Sequence, residues 1–372
     1  MISRLTAWLG LAVRKRARGA EAAIAGEDGS VADLGEWGVI AALKARMPAG
    51  ALTTVGIGDD SAVVTTPSGS VVAAVDLLIE GRHFRREWSS AYDVGVKAAA
   101  RSLADIAAMG AVNTALLVAL AAPGTLPARW AADLAEGLAF EATRAGAGVV
   151  GGDTARADTI TLSVTALGDL AGRRPVLRSG ARPGDVIAVA GPLGHAAAGL
   201  ALLTAGVAPV PAGPSALEGL PALVAAQLRP APPYDAGPEA ARLGATAMID
   251  VSDGLLADLG HVAAASDVHI NVSSSALAPG ATLREAASQL SAPDASSRTT
   301  AAYFPPPILL GSPPMALEWV LTGGEDHSLV AAFPPGTVLP ARWRVIGEVR
   351  EGAGVTVDDA PHQGPAGWQH FR

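Results

Sequence analysis

The feature that most constrains the fold of this chain is a series of apolar runs that each end in acidic residues, beside glycine or another small residue. The six acidic segments are Gly58-Asp59-Asp60, Val75-Asp76, Leu103-Ala104-Asp105, Gly151-Gly152-Asp153, Ile249-Asp250-Val251-Ser252-Asp253 and Gly323-Gly324-Glu325-Asp326. Carboxylates repel one another unless a cation lies among them. Because these segments are dispersed, we expect folding to assemble them into one composite site rather than a local metal loop. Carboxylates beside free backbone N–H groups suit Mg²⁺ and nucleotide phosphates.

Composition places the chain among globular proteins and excludes several kinds of site. Half of the 372 residues are hydrophobic and 17% are charged, and a chain of this length is expected to form two domains. The absence of cysteine excludes disulfides, thiolate zinc sites, iron–sulfur clusters and thiol catalysis. A net charge of −8 argues against nucleic acid as a partner.

The N-terminus and the apolar runs do not have the pattern of an exported or membrane-spanning protein. An apolar patch at 5–13 precedes the basic run 14–18, which reverses the order found in a secretory signal. The apolar run 115–122 is far shorter than the ~20 residues that cross a bilayer. We predict a basic, mobile tail over 1–34, with a membrane-surface helix as the alternative, and a cytoplasmic protein.

Hydrophobic periodicity predicts strands and helices mixed without the regular alternation of a Rossmann domain, so the expected class is α+β. Strands are expected at 71–77 and 111–121, both buried, and at 159–167, with helices at 36–47, 92–109 and 128–145. A second series has strands at 186–190, 247–251, 268–272, 329–333 and 344–349 and helices at 195–205 and 254–265. A stretch rich in Arg, Pro and Gly at 173–184 divides an N-terminal sheet domain, 35–175, from a C-terminal α/β sandwich-like domain, 182–372. The segment from about 276 to 314 is expected to be a long, partly mobile insertion in the second domain.

The segment 249–254 gives the sharpest local signal. A strand is expected to deliver Asp250, and Ser252 or Asp253 to cap the helix that follows. Capping explains the presence of one acidic or hydroxyl residue well, but it explains two poorly. The alternative is that the start of this helix binds phosphate and metal. The chain has no GxxxxGK[ST] segment, which excludes a P-loop enzyme, and Gly191-Pro192-Leu193-Gly194 is interpreted as a simple turn.

Three further candidates are weak when taken singly. Asp105 shares a helical face with Lys97 and Arg101, so it either pairs with Arg101 or belongs to the site. The Gly151-Gly152-Asp153 segment is common turn chemistry. His83 follows an apolar strand and is, by itself, more typical of a protein surface.

Taken together and in this order, the motifs resemble the aminoimidazole ribonucleotide synthetase superfamily and, within it, the thiamine-monophosphate kinase family. The segments that carry the resemblance are 56–62, 75–84, 102–111, 151–154, 177–180, 249–259, 321–326 and the ending Gly367-Trp368-Gln369-His370-Phe371. The resemblance begins near residue 35 and omits the insertion. Two positions depart from the family pattern: Ala74-Val75 stands where Ser/Thr-Thr usually precedes the Asp, and His327 replaces a usual Tyr.

The resemblance implies ATP-dependent phosphorylation of thiamine monophosphate to thiamine diphosphate, by direct in-line transfer and without a covalent enzyme intermediate. It implies an N-terminal domain that binds ATP and Mg²⁺ and a homodimer in which the N-terminal sheets pair. It implies several Mg²⁺ ions on Asp60, Asp76, Asp105, Asp153, Asp250 and Asp253, whose number Ala74-Val75 leaves open. It implies ATP contacts from Gly152, Arg178 and Ser252, and thiamine monophosphate contacts from His83, Glu325 and Trp368.

Other interpretations stay open at this point. The chain is alternatively another ATP-using synthetase of the superfamily, or a nucleotide-binding relative without catalysis. Trp368 either contacts the substrate or only caps the core of the second domain.

Overall fold

The computed structural model describes residues 30–57, 61–207, 218–291 and 315–368. Most of the predicted tail, Asp60 and most of the predicted insertion lie outside these residues. The elements are α1 (Val31–Lys44), β1 (Thr53–Val55), β2 (Val63–Val64), β3 (Val72–Ile79), α2 (Ala91–Ala108), β4 (Val112–Ala122), α3 (Ala128–Arg144), β5 (Gly148–Arg156), β6 (Thr161–Asp169), β7 (Val186–Ala190), α4 (His195–Thr204), α5 (Leu220–Leu228), α6 (Ala236–Arg242), β8 (Ala247–Val251), α7 (Leu255–Ser266), β9 (His269–Val272), α8 (Ala281–Leu290), α9 (Met315–Thr322), β10 (Ser328–Phe333), β11 (Trp343–Arg350) and β12 (Gly354–Val357).

The first large sheet has the strand order β3-β6-β4-β5, with one parallel pair, β4 and β5. Helices α2 and α3 cover one face of it. The prediction that 71–77 is buried on both faces was wrong, because Val75 is 63% and Leu77 is 52% exposed. An uninterrupted apolar run contains no alternation from which a half-exposed strand could be recognised.

Glycines let α2 and α3 cross at close range over this sheet. A Cβ atom on Gly95 of α2 would collide with the backbone of Leu134, and one on Gly137 of α3 would collide with the backbone of Tyr92. Ser90 begins α2 with a capping box, in which Ser90 and Asp93 each satisfy a backbone N–H of the other. This fixes the entry of the helix that carries Lys97, Arg101 and Asp105.

The second large sheet has the order β12-β9-β11-β7-β10-β8 and is antiparallel except for β12 and β9. Its residues alternate between two apolar clusters: Ala188 and Ala190 contribute to the cluster that also includes α2 and α3, and Ile187 and Val189 to the cluster on the other face. The α2 helix therefore lies between the two sheets, close to the ends of β8 and β10. These mixed, largely antiparallel sheets confirm the α+β class.

Short helices account for most of the elements that periodicity missed. Helices α5, α6, α8 and α9 were not expected, and α8 lies inside the predicted insertion, where its Leu283, Ala286 and Leu290 are buried. The division into two domains stays a prediction, since one apolar cluster joins the sheets. In the described part of the chain, no helix is long and apolar enough to cross a membrane.

Candidate active site

One face of α2 carries two of the cations of the site. Lys97, Arg101 and Asp105 follow at four-residue intervals, so they project from the same side of the helix. The Lys97 Nζ lies 2.8 Å from Glu325 Oε2, and the Arg101 Nη1 lies 2.5 Å from Glu325 Oε1. Arg101 therefore pairs with a residue 224 positions away instead of forming the expected alternative pair with Asp105.

Glu325 stands in a strained loop between α9 and β10. Its φ is +70°, and its N–H donates to the Ser252 carbonyl at 2.8 Å. The preceding Gly324 permits this approach, because a Cβ there would collide with the same carbonyl. Burial opposes ionisation of Glu325, but Arg101 and Lys97 outweigh it and hold the pKa of this carboxyl well below its ordinary value.

Asp76 faces α2 from the middle of β3. Its Oδ2 accepts a hydrogen bond from the Ser102 hydroxyl at 2.8 Å, and that hydroxyl also donates to the carbonyl of Val164 at 3.1 Å. The Arg101 Nη2 lies 3.8 Å from Asp76 Oδ1. The pleat of β3 thus sends Asp76 toward the helix and its neighbours Val75 and Leu77 to the exposed face.

Asp250 is delivered by β8, as expected, and it is buried. Its Oδ2 lies 3.0 Å from His327 Nδ1. His327 is also buried, with φ of +50°, and its N–H donates to the carbonyl of Val251. Position 327 was singled out only as a departure from the family pattern, and its contact with Asp250 was not foreseen.

Asp105 brings the carboxylates from three separate segments together. Burial, followed by the charges of Asp250 and Asp76, raises the pKa of Asp105 to about 8, although Arg101 and Arg178 act in the opposite direction. The assembly of the acidic segments into one composite site stays a prediction, which the effect of Asp250 and Asp76 on Asp105 supports. Asp60 lies outside the described residues.

Asp76, Asp105 and Asp250, called the carboxylate group below, do not make a metal site by themselves. Among the residues described, no three or more acidic or histidine side chains form a ready metal-binding group. Asp153 is exposed on β5, and its Oδ1 accepts the N–H of Thr154 at 2.8 Å. A carboxylate group completed by phosphate oxygens would satisfy Mg²⁺, which binds through one or two carboxylates plus phosphates.

The Gly151-Gly152-Asp153 segment lies within a strand, so its interpretation as a turn was wrong. β5 is the edge strand of the first sheet, and it shifts register against β4 near Leu116 and Leu117. A Cβ on Gly152 would collide with the carbonyl of Val118 in β4. Gly152 is needed for that close approach of two backbones, and glycines gave the sequence the appearance of a turn.

The predicted cap of the helix after β8 was also wrong. The N-cap of α7 is Gly254, with φ of +128°, and it has no side-chain cap. Instead the buried Asp258 accepts the N–H groups of Ser252, Asp253 and Gly254 at 3.0, 3.1 and 3.1 Å. Burial, then the charges of Asp250 and Asp253, raises the pKa of Asp258 to about 8, against the pull of the backbone N–H groups.

Trp368 lies against the same turn. The backbone N–H of Trp368 donates to the carbonyl of Asp253 at 2.9 Å, and a Cβ on the preceding Gly367 would collide with that carbonyl. The side chain is 38% exposed, which is not the burial of a core residue. The C-terminal segment therefore folds back onto the turn 252–254. It binds the carbonyl of Asp253, and the neighbouring carbonyl of Ser252 accepts the backbone N–H of Glu325.

Two further predicted residues are His83 and Arg178. His83 follows β3, and its Nδ1 accepts the N–H of Ile79 at 3.0 Å. Beside it is an open cavity of about 390 Å³, lined by Glu80, Gly81, Arg82, Arg85 and Glu87. Arg178 is exposed in the loop between the two sheets, and its charge lowers the pKa of Asp105.

Asp326 has a structural role that was not predicted. Its carboxylate accepts the N–H groups of Gly194 and Ala196 at the start of α4. Asp326 thus satisfies the N–H of Gly194 in the turn 191–194, in agreement with the interpretation of this segment as a simple turn. Burial raises the pKa of Asp326 to about 7, although those N–H groups favour the ionised form.

Comparisons with known proteins identify the class to which this α+β fold belongs. Residues 58–170 match the model of the AIR synthase related protein, N-terminal domain.

Thiamine-monophosphate kinase of Mycobacterium tuberculosis is 46% identical over 349 residues, which cover 94% of this chain and 95% of that protein. Among solved structures, thiamine-monophosphate kinase of Stenotrophomonas maltophilia has a TM-score of 0.70 and 32% identity, over 87% of this chain and 95% of that one. AaThiL complexed with AMPPCP and TMP has a TM-score of 0.68 and 31% identity, over 91% and 98%. The chain belongs to the thiamine-monophosphate kinase family.

Proposed function

We propose that this chain transfers the γ-phosphoryl group of ATP to thiamine monophosphate and forms thiamine diphosphate. The observation that carries the proposal is the 46% identity to a thiamine-monophosphate kinase over nearly the whole of both chains. The complex of AaThiL with an ATP analogue and TMP, over almost the full length, supports the same pair of substrates.

The reaction depends more on neutralising the negative charge of the two phosphates than on proton transfer. A bond forms between an oxygen of the acceptor phosphate and the γ-phosphorus, while the bond from that phosphorus to the bridging oxygen breaks. ADP leaves with the electron pair of the broken bond. The acceptor phosphate has lost most of its protons near neutral pH, so no general base is required. Two anions must nevertheless be held in line, which is achieved by positioning and by cations.

The charges of Asp76 and Asp250 help to raise the pKa of Asp105, which supports the binding of a cation at this place. We propose these three as Mg²⁺ ligands, with Asp60, Asp153 and Asp253 as further predicted ligands. When bound, Mg²⁺ would neutralise the charge of the nucleotide phosphates.

The predicted ATP contacts are proposed on the same basis. Ser252 begins the turn before α7, and Arg178 is near enough to act electrostatically on Asp105. Gly152 lies at an exposed position of the edge strand β5. A backbone without a side chain and an exposed guanidinium are suited to phosphate oxygens.

For thiamine monophosphate we propose His83, Glu325 and Trp368. The exposed indole of Trp368 is available to cover a cationic thiazolium ring. Glu325 is 28% exposed, but it is also held by two cations, so it acts on the substrate in competition with Lys97 and Arg101.

The outer face of the first sheet supports the proposed homodimer. Val75 and Leu77 are more than half exposed there, and Val71 beside β3 is 52% exposed. A second copy of the same sheet would bury this apolar face. The proposed location is the cytoplasm, where ATP is available.

Production of thiamine diphosphate tests the proposal. The purified chain, with ATP and Mg²⁺, should form ADP and thiamine diphosphate in equal amounts when thiamine monophosphate is added. Thiamine without its phosphate should not be an acceptor. ADP formation that is independent of thiamine monophosphate would refute the proposal and favour a nucleotide-binding relative or another synthetase.

A further inference from the structure

We propose that Arg101 is a catalytic residue that donates to the phosphoryl group during transfer. This inference rests on the proposed function, since it assigns to that reaction a cation which belongs to the chain itself. Arg101 is on α2, and its side chain is only 11% exposed.

More carboxylates act on the Arg101 guanidinium than it forms hydrogen bonds with. Its Nη1 lies 2.5 Å from Glu325 and its Nη2 lies 3.8 Å from Asp76, and the charges of Asp105 and Asp250 also act on it. The four carboxylates come from four separate segments of the chain. Arg101 therefore stands where negatively charged phosphates and their cations must also bind.

Most of its hydrogen-bonding capacity is unused. A guanidinium carries N–H donors on each of its nitrogens, in a planar fork that matches phosphate oxygens. Within the described residues Arg101 makes one hydrogen bond, from Nη1 to Glu325. Its Nη2 is 3.8 Å from Asp76, which is too long for a hydrogen bond, and its Nε is buried with no partner in the part of the chain that the structure describes.

Buried donors without acceptors are costly, and a native protein retains few of them outside functional sites. Lys97 offers the contrast, because its Nζ contacts both Glu325 and the carbonyl of Gln227. Lys97 is thus satisfied by the protein, whereas Arg101 has donors left for an anion. The anion that this reaction brings to the site is the phosphoryl group in transit from ATP to the acceptor phosphate.

The transfer step gives Arg101 a defined role. As the bond between the γ-phosphorus and the bridging oxygen breaks, and the bond to the acceptor oxygen forms, charge is spread over the oxygens of the moving group. Donors fixed beside those oxygens stabilise the transition state more than either bound substrate. The pair with Glu325 holds the fork in place for this contact.

The chain provides a matched control for the test. Arg229 is also 11% exposed, and it forms an ion pair with Asp93 of the same helix, with 2.8 Å between Nη1 and Oδ1. Arg229→Ala therefore removes an equally buried guanidinium that contacts α2 through Asp93 and not through the carboxylate group. Arg101→Ala and Arg229→Ala should lose similar amounts of thermal stability.

The kinetic outcomes should differ. Arg101→Ala should lower kcat by about 10²- to 10³-fold with smaller changes in either KM, and added guanidinium ion should restore part of kcat. Arg229→Ala should keep kcat within about 3-fold and should not respond to guanidinium. Arg101→Lys, which keeps a charge for Glu325 and loses the fork, should still lose about 10-fold or more.

Two results would overturn the inference. If Arg101→Ala or Arg101→Lys retains the kcat of the wild type, Arg101 only links α2 to the loop of Glu325. If the wild type has no turnover that depends on thiamine monophosphate, the proposed function fails and this inference fails with it. Wild-type turnover, matched by both alanine variants, would overturn the inference alone.

Discussion

Asp105→Asn should stabilise the protein in the absence of Mg²⁺ and abolish its activity. Burial and the charges of Asp250 and Asp76 raise the pKa of Asp105 from 3.8 to about 8. Asn has nearly the shape of the protonated acid and cannot ionise. The substitution therefore removes the repulsion among the carboxylates while leaving the packing of α2 intact.

The magnitude follows from the linkage between protonation and folding. At pH 7 the unfolded chain has released the Asp105 proton, whereas most folded molecules retain it. Each pH unit above 3.8 lowers the free energy of unfolding by about 1.4 kcal/mol, which gives about 4 kcal/mol at pH 7 as an upper bound. Solvent screening at this partly exposed carboxyl reduces the expectation to about 2 kcal/mol.

The sign of the pH dependence is fixed by the direction of the shift. A carboxyl with a raised pKa in the folded state makes its greatest contribution to stability below pH 3.8 and loses it as pH rises through about 8. The advantage of Asp105→Asn over the wild type should therefore be small near pH 5 and largest near pH 8. Urea denaturation in EDTA at several pH values measures this difference.

A matched variant separates stability from catalysis. Asp153 is a predicted ligand of the same metal site, but it is exposed, so Asp153→Asn should leave stability unchanged and still reduce activity. If Asp105→Asn is no more stable than the wild type in EDTA, or if its advantage does not vary with pH, the carboxylates do not converge as described. The electrostatic interpretation of the site would then be wrong.

Three further predictions concern other parts of the molecule. Trp368→Ala should raise the KM for thiamine monophosphate by roughly 2- to 30-fold and leave the KM for ATP unchanged, because a cation–aromatic contact is worth about 0.5–2 kcal/mol. An equal rise in both values, with a lower melting temperature, would assign Trp368 to the core. Asp326→Ala should reduce the free energy of unfolding, measured with urea, by about 1–3 kcal/mol, because the buried N–H groups at the start of α4 lose their acceptor. An unchanged unfolding curve would refute that role. Val75→Glu together with Leu77→Glu should produce a monomer in sedimentation velocity, and a dimer that survives both changes would place its interface elsewhere.

Long elements could be predicted from the sequence because their periodicity extends over many residues. The helix expected at 92–109 is α2, Ala91–Ala108, and the strand expected at 247–251 is β8, with the same bounds. The short helices α5, α6 and α9 could not be predicted, since nine residues or fewer establish little of a period. Helix α8 is as long as the predicted α4, and it was missed because its segment was interpreted as an insertion. The half-exposed β3 was misjudged because both of its faces are apolar, so its own segment does not distinguish the face that packs on α2 from the exposed face.

The acidic residues of the candidate site could be selected from the sequence, but their side-chain partners could not. Asp76, Asp105 and Asp250 stand out because carboxylates at the ends of apolar runs are unusual without a role. The pairing of Arg101 with Glu325 spans 224 positions, while helical spacing offers Asp105 as a nearer partner. Asp258 left a weaker signal: it stands in the first turn of α7, after a glycine that cannot cap the helix with a side chain.

The repulsion at Asp105 also connects the stability of the fold to the binding of its substrates. Arg101 relieves only part of this repulsion, because its closest pairing is with Glu325 and it reaches Asp76 only at 3.8 Å. A divalent cation bound with ATP would relieve it, and the relief adds to the stabilisation that any ligand confers by mass action. Wild-type protein should therefore gain more stability from Mg²⁺ and an ATP analogue than Asp105→Asn gains. The melting temperatures of the wild type and of Asp105→Asn should become more similar as the ligands saturate. The repulsion at Asp105 is then neutralised by the cation in the wild type, and it is absent from the variant.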